Sequence, residues 1–279
     1  MSVPHVDSKK FNAVISKLRS FFLERKGFLE THTQNRLSIL AACENPKSIS
    51  CFQYAGQKWP LAQTNQMWLE DEILKYPDNN YFCVTTSYRE EKEPIEGRHD
   101  LIFPMGEFEA RGNFQDLLTT LRELLEHLGY GPADSFPTGT YASICEKYGV
   151  TDIDHDVEQM IYRDFGPVFL LTHFPEETSP FFNMRRLEDG SGLSYKCDVI
   201  MSGMETIGSA ERSSDVKDML HRFETISDGE YASTLYGHFG KERVMKELNE
   251  YFSYDFFSRY GAGIGLTRLI KSMEREGLI

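Results

Sequence analysis

Apolar residues recur at helical spacing in two long stretches of the chain. Phe11, Val14, Ile15, Leu18, Phe21 and Phe22 share one face and stop short of Gly27, which predicts an amphipathic N-terminal helix. Phe114, Leu117, Leu118, Leu121, Leu124, Leu125 and Leu128 repeat the pattern and end at Gly129. Four other runs, Tyr81 to Tyr88, Leu101 to Ala110, Val168 to Leu171 and Ser194 to Met201, have the composition and alternation of strands. Strands and helices alternate without a regular strand-helix-strand repeat. The pattern predicts a mixed α+β fold on an antiparallel sheet.

With 279 residues, 40% hydrophobic and 13% aromatic, the chain can bury one large sheet. No Pro- or Gly-rich linker, repeat or low-complexity tract divides it, so a single domain over residues 1–279 is expected. The formal net charge of −13 disfavours a broad nucleic-acid surface, because affinity there depends on clustered lysines and arginines. Met1 to Lys10 is polar and no run of about 20 apolar residues occurs, which argues against a signal peptide and a membrane span. Cys43, Cys51, Cys83, Cys145 and Cys197 are odd in number and form no CxxC pair. Reduced thiols in a cytoplasmic protein are expected, without a structural zinc.

Two segments carry candidate chemistry. Gly261-Ala262-Gly263-Ile264-Gly265-Leu266-Thr267-Arg268 places alternating glycines before an arginine. A dinucleotide fingerprint needs a βαβ unit of about 30 residues and an acidic partner roughly 20 residues further on, and this sequence ends first. What remains is a glycine-lined strand or turn that a flat ligand can approach, followed by a guanidinium able to stack on a base or meet a phosphate. The second segment runs strand, polar loop, strand: Tyr88-Arg89-Glu90-Glu91, then Arg98-His99-Asp100-Leu101-Ile102-Phe103 and Glu107-Phe108-Glu109. Such a hairpin can hold two arginines and a histidine around one anion, and Arg supplies a fixed fork of donors for phosphate.

Together the two segments resemble motifs 2 and 3 of the class II aminoacyl-tRNA synthetases, most of all the catalytic core of the aspartyl and asparaginyl enzymes. Gly166 to Leu170, Ser179 to Phe182, Asp198 to Arg212 and Gln63-Thr64-Asn65-Gln66-Met67-Trp68-Leu69-Glu70 are similar to further parts of that core, in the family's order. The resemblance covers about Phe11 to Arg268 and implies the class II synthetase fold, an antiparallel sheet flanked by helices.

Carried over position by position, the resemblance implies ATP and Mg2+ as cofactors. Arg89 and Arg268 are the expected catalytic residues. Arg89 would meet the α-phosphate and the reacting carboxylate, Glu91 the adenine amino group, and Phe103 and Arg268 the two adenine faces. Arg98 or His99 would reach the outer phosphates. Asp198 and Glu205 stand at the family's magnesium positions. Thr64, Gln66 and Glu107 would hold the substrate amino group, and Arg212 its side chain. Leu69 replaces a lysine of the aspartyl enzymes, which points toward an amide or small polar substrate. Gln34 replaces the interface proline of motif 1 within a homodimer that the resemblance also implies.

The family's anticodon-binding barrel is not expected ahead of this core, so tRNA is possible but not favoured as a partner. The leading expectation is an ATP-dependent ligase that activates an amino acid as its adenylate and passes the acyl group to ammonia or a small amine, resembling the asparagine synthetases related to this core. There aspartate would be activated at its β-carboxylate, with Arg212 on the α-carboxylate. Transfer to a tRNA, a carrier or a protein side chain is a second possibility. A catalytically silent regulator of the same fold is a third.

Overall fold

The computed structural model describes residues 6–33, 36–94, 100–178 and 181–279. Its centre is an eight-stranded sheet. The strands are β1 (Leu29–Glu30), β4 (Tyr81–Tyr88), β5 (Ile102–Arg111), β6 (Thr138–Thr140), β7 (Val168–Pro175), β8 (Leu193–Met201), β9 (Met204–Arg212) and β10 (Arg259–Gly265). A separate hairpin pairs β2 (Cys51–Tyr54) with β3 (Gln57–Pro60). The sheet order is β1-β4-β5-β10-β9-β8-β7-β6, antiparallel except for the outer pairs β1/β4 and β6/β7. This is the α+β architecture expected from the pattern, with the last strand in sequence inserted at the middle of the sheet.

The strands carry two different faces because successive side chains point to opposite sides. Phe82 of β4, Phe108 and Ala110 of β5, Ala262 and Ile264 of β10, Ile207 of β9 and Cys197 and Val199 of β8 enter one apolar core. Their neighbours on the other face include Glu107, Glu109, Gly261, Gly263, Lys196 and Asp198. The apolar face is covered by α1 (Ser8–Arg19), α3 (Phe114–Leu128) and α9 (Leu266–Arg275). The opposite face is flanked by α2 (Gln66–Lys75), α4 (Tyr141–Tyr148), α5 (His155–Phe165), α6 (Val216–Thr225), α7 (Glu230–Phe239) and α8 (Lys241–Phe252), which close two smaller cores.

Local chemistry accounts for the helix boundaries. Asp7 caps α1 by accepting from the Lys9 and Lys10 amides, and Asn113 and Asp116 form a reciprocal capping box on α3. Gly129 ends α3 in the left-handed conformation. Both helices predicted from periodicity are present, α1 continuing through a π-helical turn at Ser20–Arg25 before Gly27. The run predicted at Val168 to Leu171 extends to Pro175, past a register shift between Thr172 and Phe174 where His173 has positive φ. The β8–β9 hairpin turns on Ser202 and Gly203, both with φ above zero, as a tight two-residue hairpin requires. All five cysteines are free thiols. No helix among the described residues is long and apolar enough to cross a membrane.

Candidate active site

A cavity of about 340 Å³ opens on the polar face of the sheet, where β5, β10 and β9 lie side by side. It gathers residues from the two segments singled out in the sequence, far apart along the chain. Arg89 and Glu91 follow β4, Phe103 projects from β5, Glu205 and Arg212 lie on β9, and Arg268 stands in the first turn of α9. Thr64 and Gln66 enter from the start of α2. Gly263 and Gly265 form part of the wall, and a β-carbon on Gly263 would come within 2.8 Å of the Met105 methyl. The alternating glycines thus form a central strand whose bare side faces the cavity.

At one end Arg89 stands over the Phe103 ring, 5.5 Å from its centroid, and pairs with Glu44. Glu44 was not singled out in the sequence; it sits in a loop without motif or periodicity, and only the fold brings it to Arg89. Arg268 donates from Nη1 to the Glu205 carbonyl oxygen at 2.6 Å, which anchors the guanidinium at the cavity wall. Arg98 and His99 lie outside the described residues, as do Gln34, Ser179 and Pro180.

At the other end the expected amino-acid positions form two layers. Thr64 and Gln66 line the cavity, whereas Glu107 lies fully buried behind Thr64. It accepts from the Thr64 hydroxyl, from the Asn65 amide at 2.9 and 3.0 Å, and from the Thr85 hydroxyl at 3.0 Å. Burial raises the Glu107 carboxyl above its ordinary range, and these donors oppose the shift. Glu107 therefore fixes Thr64 and the start of α2 instead of lining the cavity itself.

Arg212 also reaches the cavity, but inside a buried quartet. Its Nε and Nη2 donate to the two Glu109 oxygens at 3.1 and 3.2 Å, and Glu70 lies 3.7 Å from Nε. Glu70 accepts in turn from Arg259 Nε at 2.8 Å and from the Tyr251 hydroxyl at 2.7 Å. Burial opposes the ionised form of Glu70, yet Arg259 and Arg212 outweigh it and hold the carboxyl below its usual range. Glu109 is hydrogen-bonded to Arg212; burial, helped by the Glu70 charge, pushes its carboxyl up to about 7 against the pull of Arg212 and, more weakly, of Arg259. Leu69 is fully buried in the core beneath α2 and does not line the cavity. Position 69 therefore sets no charge at the cavity; its neighbour Glu70, the last residue of the Gln63–Glu70 segment, is the one that meets Arg212 and Arg259.

Asp198 and Glu205 converge across the β8–β9 ladder. A β-carbon on Gly208 would lie 3.4 Å from Glu205 Oε1 and 3.6 Å from Asp198 Oδ1, so both oxygens border the space that this glycine leaves. Asp198 Oδ1 is buried without a hydrogen-bond partner, and its other oxygen accepts from Lys196. Burial pushes the Asp198 carboxyl up to about 7, opposed by Lys196 and helped by Glu205. An orphaned hard oxygen beside a second carboxylate fits a divalent cation that is also held by phosphates. Asp198 faces a smaller chamber of about 160 Å³ that shares Lys196 and Glu205 with the main cavity. Lys196 lies two residues before Asp198 on the same strand face, a spacing that could have marked it in the sequence.

The sequence model of the family described as tRNA synthetases class II (D, K and N) matches residues 8–279. An aspartate–tRNA(Asp) ligase from Pyrobaculum aerophilum is 21% identical over 94% of this chain and 63% of its own length. The cytoplasmic asparagine–tRNA ligase of Dictyostelium discoideum is 23% identical, over 94% of this chain and 44% of its own. The chain thus spans less than two thirds of these relatives. Among solved structures, asparaginyl-tRNA synthetase from Pyrococcus horikoshii complexed with asparaginyl-adenylate superposes with a TM-score of 0.76 at 20% identity, covering 96% of this chain and 64% of that one.

Proposed function

This chain belongs to the class II tRNA synthetases of the D, K and N type, and on that premise we propose that it uses ATP to activate an aspartate- or asparagine-type amino acid as its adenylate. The observation that carries this reading is the single cavity in which Arg89, Phe103, Glu91 and Arg268 stand at one end and Thr64, Gln66 and Arg212 at the other. A substrate carboxylate between the two ends would attack the α-phosphorus. The bond to pyrophosphate breaks as the acyl–oxygen–phosphorus link forms, and Arg89 stabilises the negative charge that gathers on the phosphoryl oxygens. Phe103 and Arg268 hold the adenine between a ring and a guanidinium. Magnesium held by Asp198 and Glu205 would neutralise phosphate charge and orient the pyrophosphate as it leaves. Thr64, held by Glu107, and Gln66 orient the substrate amino group.

The quartet supports a substrate that presents a carboxylate to Arg212. Because burial holds the Glu109 carboxyl up at about 7, its charge offsets Arg212 and Arg259 only in part near neutral pH, and the cavity floor can receive a substrate carboxylate. Aspartate bound by its α-carboxylate places its β-carboxylate toward Arg89. The acceptor we favour is ammonia or a small amine, because a chain of net charge −13 offers little general attraction to a polynucleotide. The amine attacks the acyl carbon, the carbon–oxygen bond to AMP breaks, and the amine loses a proton. Amino-acid-dependent exchange of pyrophosphate into ATP, run across the standard amino acids, tests the activation step. Exchange with at least one small polar amino acid is expected. Its absence in folded protein, with ammonia and tRNA both tested as additions, would promote the reading of a silent regulator.

A further inference from the structure

Lys196 is a cation built into a place where the proposed chemistry needs one. It lies on β8 opposite Ala210, while Asp198, two residues on, lies opposite Gly208. The small partners leave both side chains room on the cavity face. The Lys196 side chain is only 11% exposed, its ammonium sits 4.0 Å from the centroid of the Phe174 ring, and it donates to Asp198 Oδ2. Ring and carboxylate together fix the position of this charge. The same side chain borders the main cavity and the smaller chamber behind it. One oxygen of Asp198 is therefore committed to a protein cation, and Oδ1, which borders the space at Gly208 together with Glu205, is the oxygen of Asp198 left for a metal ion.

We propose that Lys196 is the resident cation of the Asp198–Glu205 pair, so that the pair takes a single divalent ion in place of a more highly charged metal cluster. The inference rests on the ATP–magnesium reading above and concerns this chain's own division of positive charge. An ammonium in contact with Asp198 opposes metal entry in two ways: it occupies a ligand oxygen, and it repels the incoming cation across a partly buried site. Removing it should tighten metal binding, whereas a lysine that served only as packing under Phe174 would leave metal affinity unchanged.

The test is a titration of the full-length chain with Mn2+ in the absence of nucleotide, following the free-ion signal by electron paramagnetic resonance. Lys196→Met keeps the length and apolar stem of the side chain; Lys196→Gln gives the same loss of charge should the methionine variant fail to fold. The variant is expected to bind Mn2+ about ten-fold or more tightly than the wild type, with the gain lost in Lys196→Met combined with Asp198→Asn. Equal or weaker Mn2+ affinity in the charge-removed variant would overturn the proposal. Failure of every form to bind Mn2+ would overturn it together with the metal assignment, while pyrophosphate exchange would still report separately on amino-acid activation.

Discussion

Gly261 lies directly across the β5–β10 ladder from Glu109, and a β-carbon placed on it would stand 1.8 Å from a Glu109 carboxylate oxygen. The first glycine of the alternating run therefore makes room for the buried acid that holds Arg212. Gly261→Ala should push Glu109 out of its two bonds to Arg212. We expect a loss of about 1–3 kcal/mol in stability from overpacking, together with weakened amino-acid binding and nearly unchanged ATP binding. Urea unfolding and isothermal titration with each substrate check it. Equal weakening of ATP and amino acid would show that Gly261 serves the cavity as a whole.

Arg268 is anchored by its bond to the Glu205 carbonyl and faces the proposed adenine position. Arg268→Ala removes a stacking cation and a charged donor. ATP affinity should fall by about 2 kcal/mol, roughly 30-fold, if the contact is charge-assisted. Calorimetric ATP binding measures this directly, and a loss under about two-fold would remove Arg268 from the nucleotide site.

Glu109 provides a pH dependence with a definite sign. Its folded-state carboxyl is raised to about 7, whereas a glutamate in the unfolded chain titrates near its ordinary value of about 4.3. Between those values the folded protein holds a proton that the unfolded chain has released. This group therefore favours the fold most below about pH 4.3, and its contribution declines as pH rises through 7, by up to about 1.4 kcal/mol per pH unit. Glu109→Gln should flatten that part of the stability profile in chemical denaturation at a series of pH values. An unchanged slope would mean that Glu109 is ionised throughout, paired with Arg212.

The acceptor can be read from turnover. With a fixed activated amino acid, AMP release should rise on adding ammonia or a small amine and respond little to bulk tRNA, whose binding to an acidic chain would be weak and strongly salt-dependent. Stable aminoacylation of tRNA at physiological salt, without amine-dependent AMP release, would move the protein to the transferase reading.

Much of the site is legible before folding because its residues sit in ordered, separated segments. Arg89, Phe103, Glu205, Arg212 and Arg268, marked in the sequence, all reach one cavity. The expectations that shifted concern depth. Glu107 stands behind Thr64, and Leu69 points into a core while Glu70, one helical turn from Gln66, meets Arg259. Glu44 gains its significance from Arg89, a partner that local sequence does not name.

The sequence by itself determined the alternation of apolar and polar positions that fixes which side of each strand is buried, the cap that begins α1 and the caps that begin and end α3, and the order of chemical groups along the chain. These are local properties, set by backbone periodicity and by hydrogen bonds between near neighbours. The tertiary structure alone decided which charges meet. Placing β10 between β5 and β9 brings Glu109, Arg212 and Arg259 together with Glu70 from α2 in one buried network. Whether a carboxylate there is ionised depends on desolvation and on the distance to its neighbours, and neither exists until the sheet has closed.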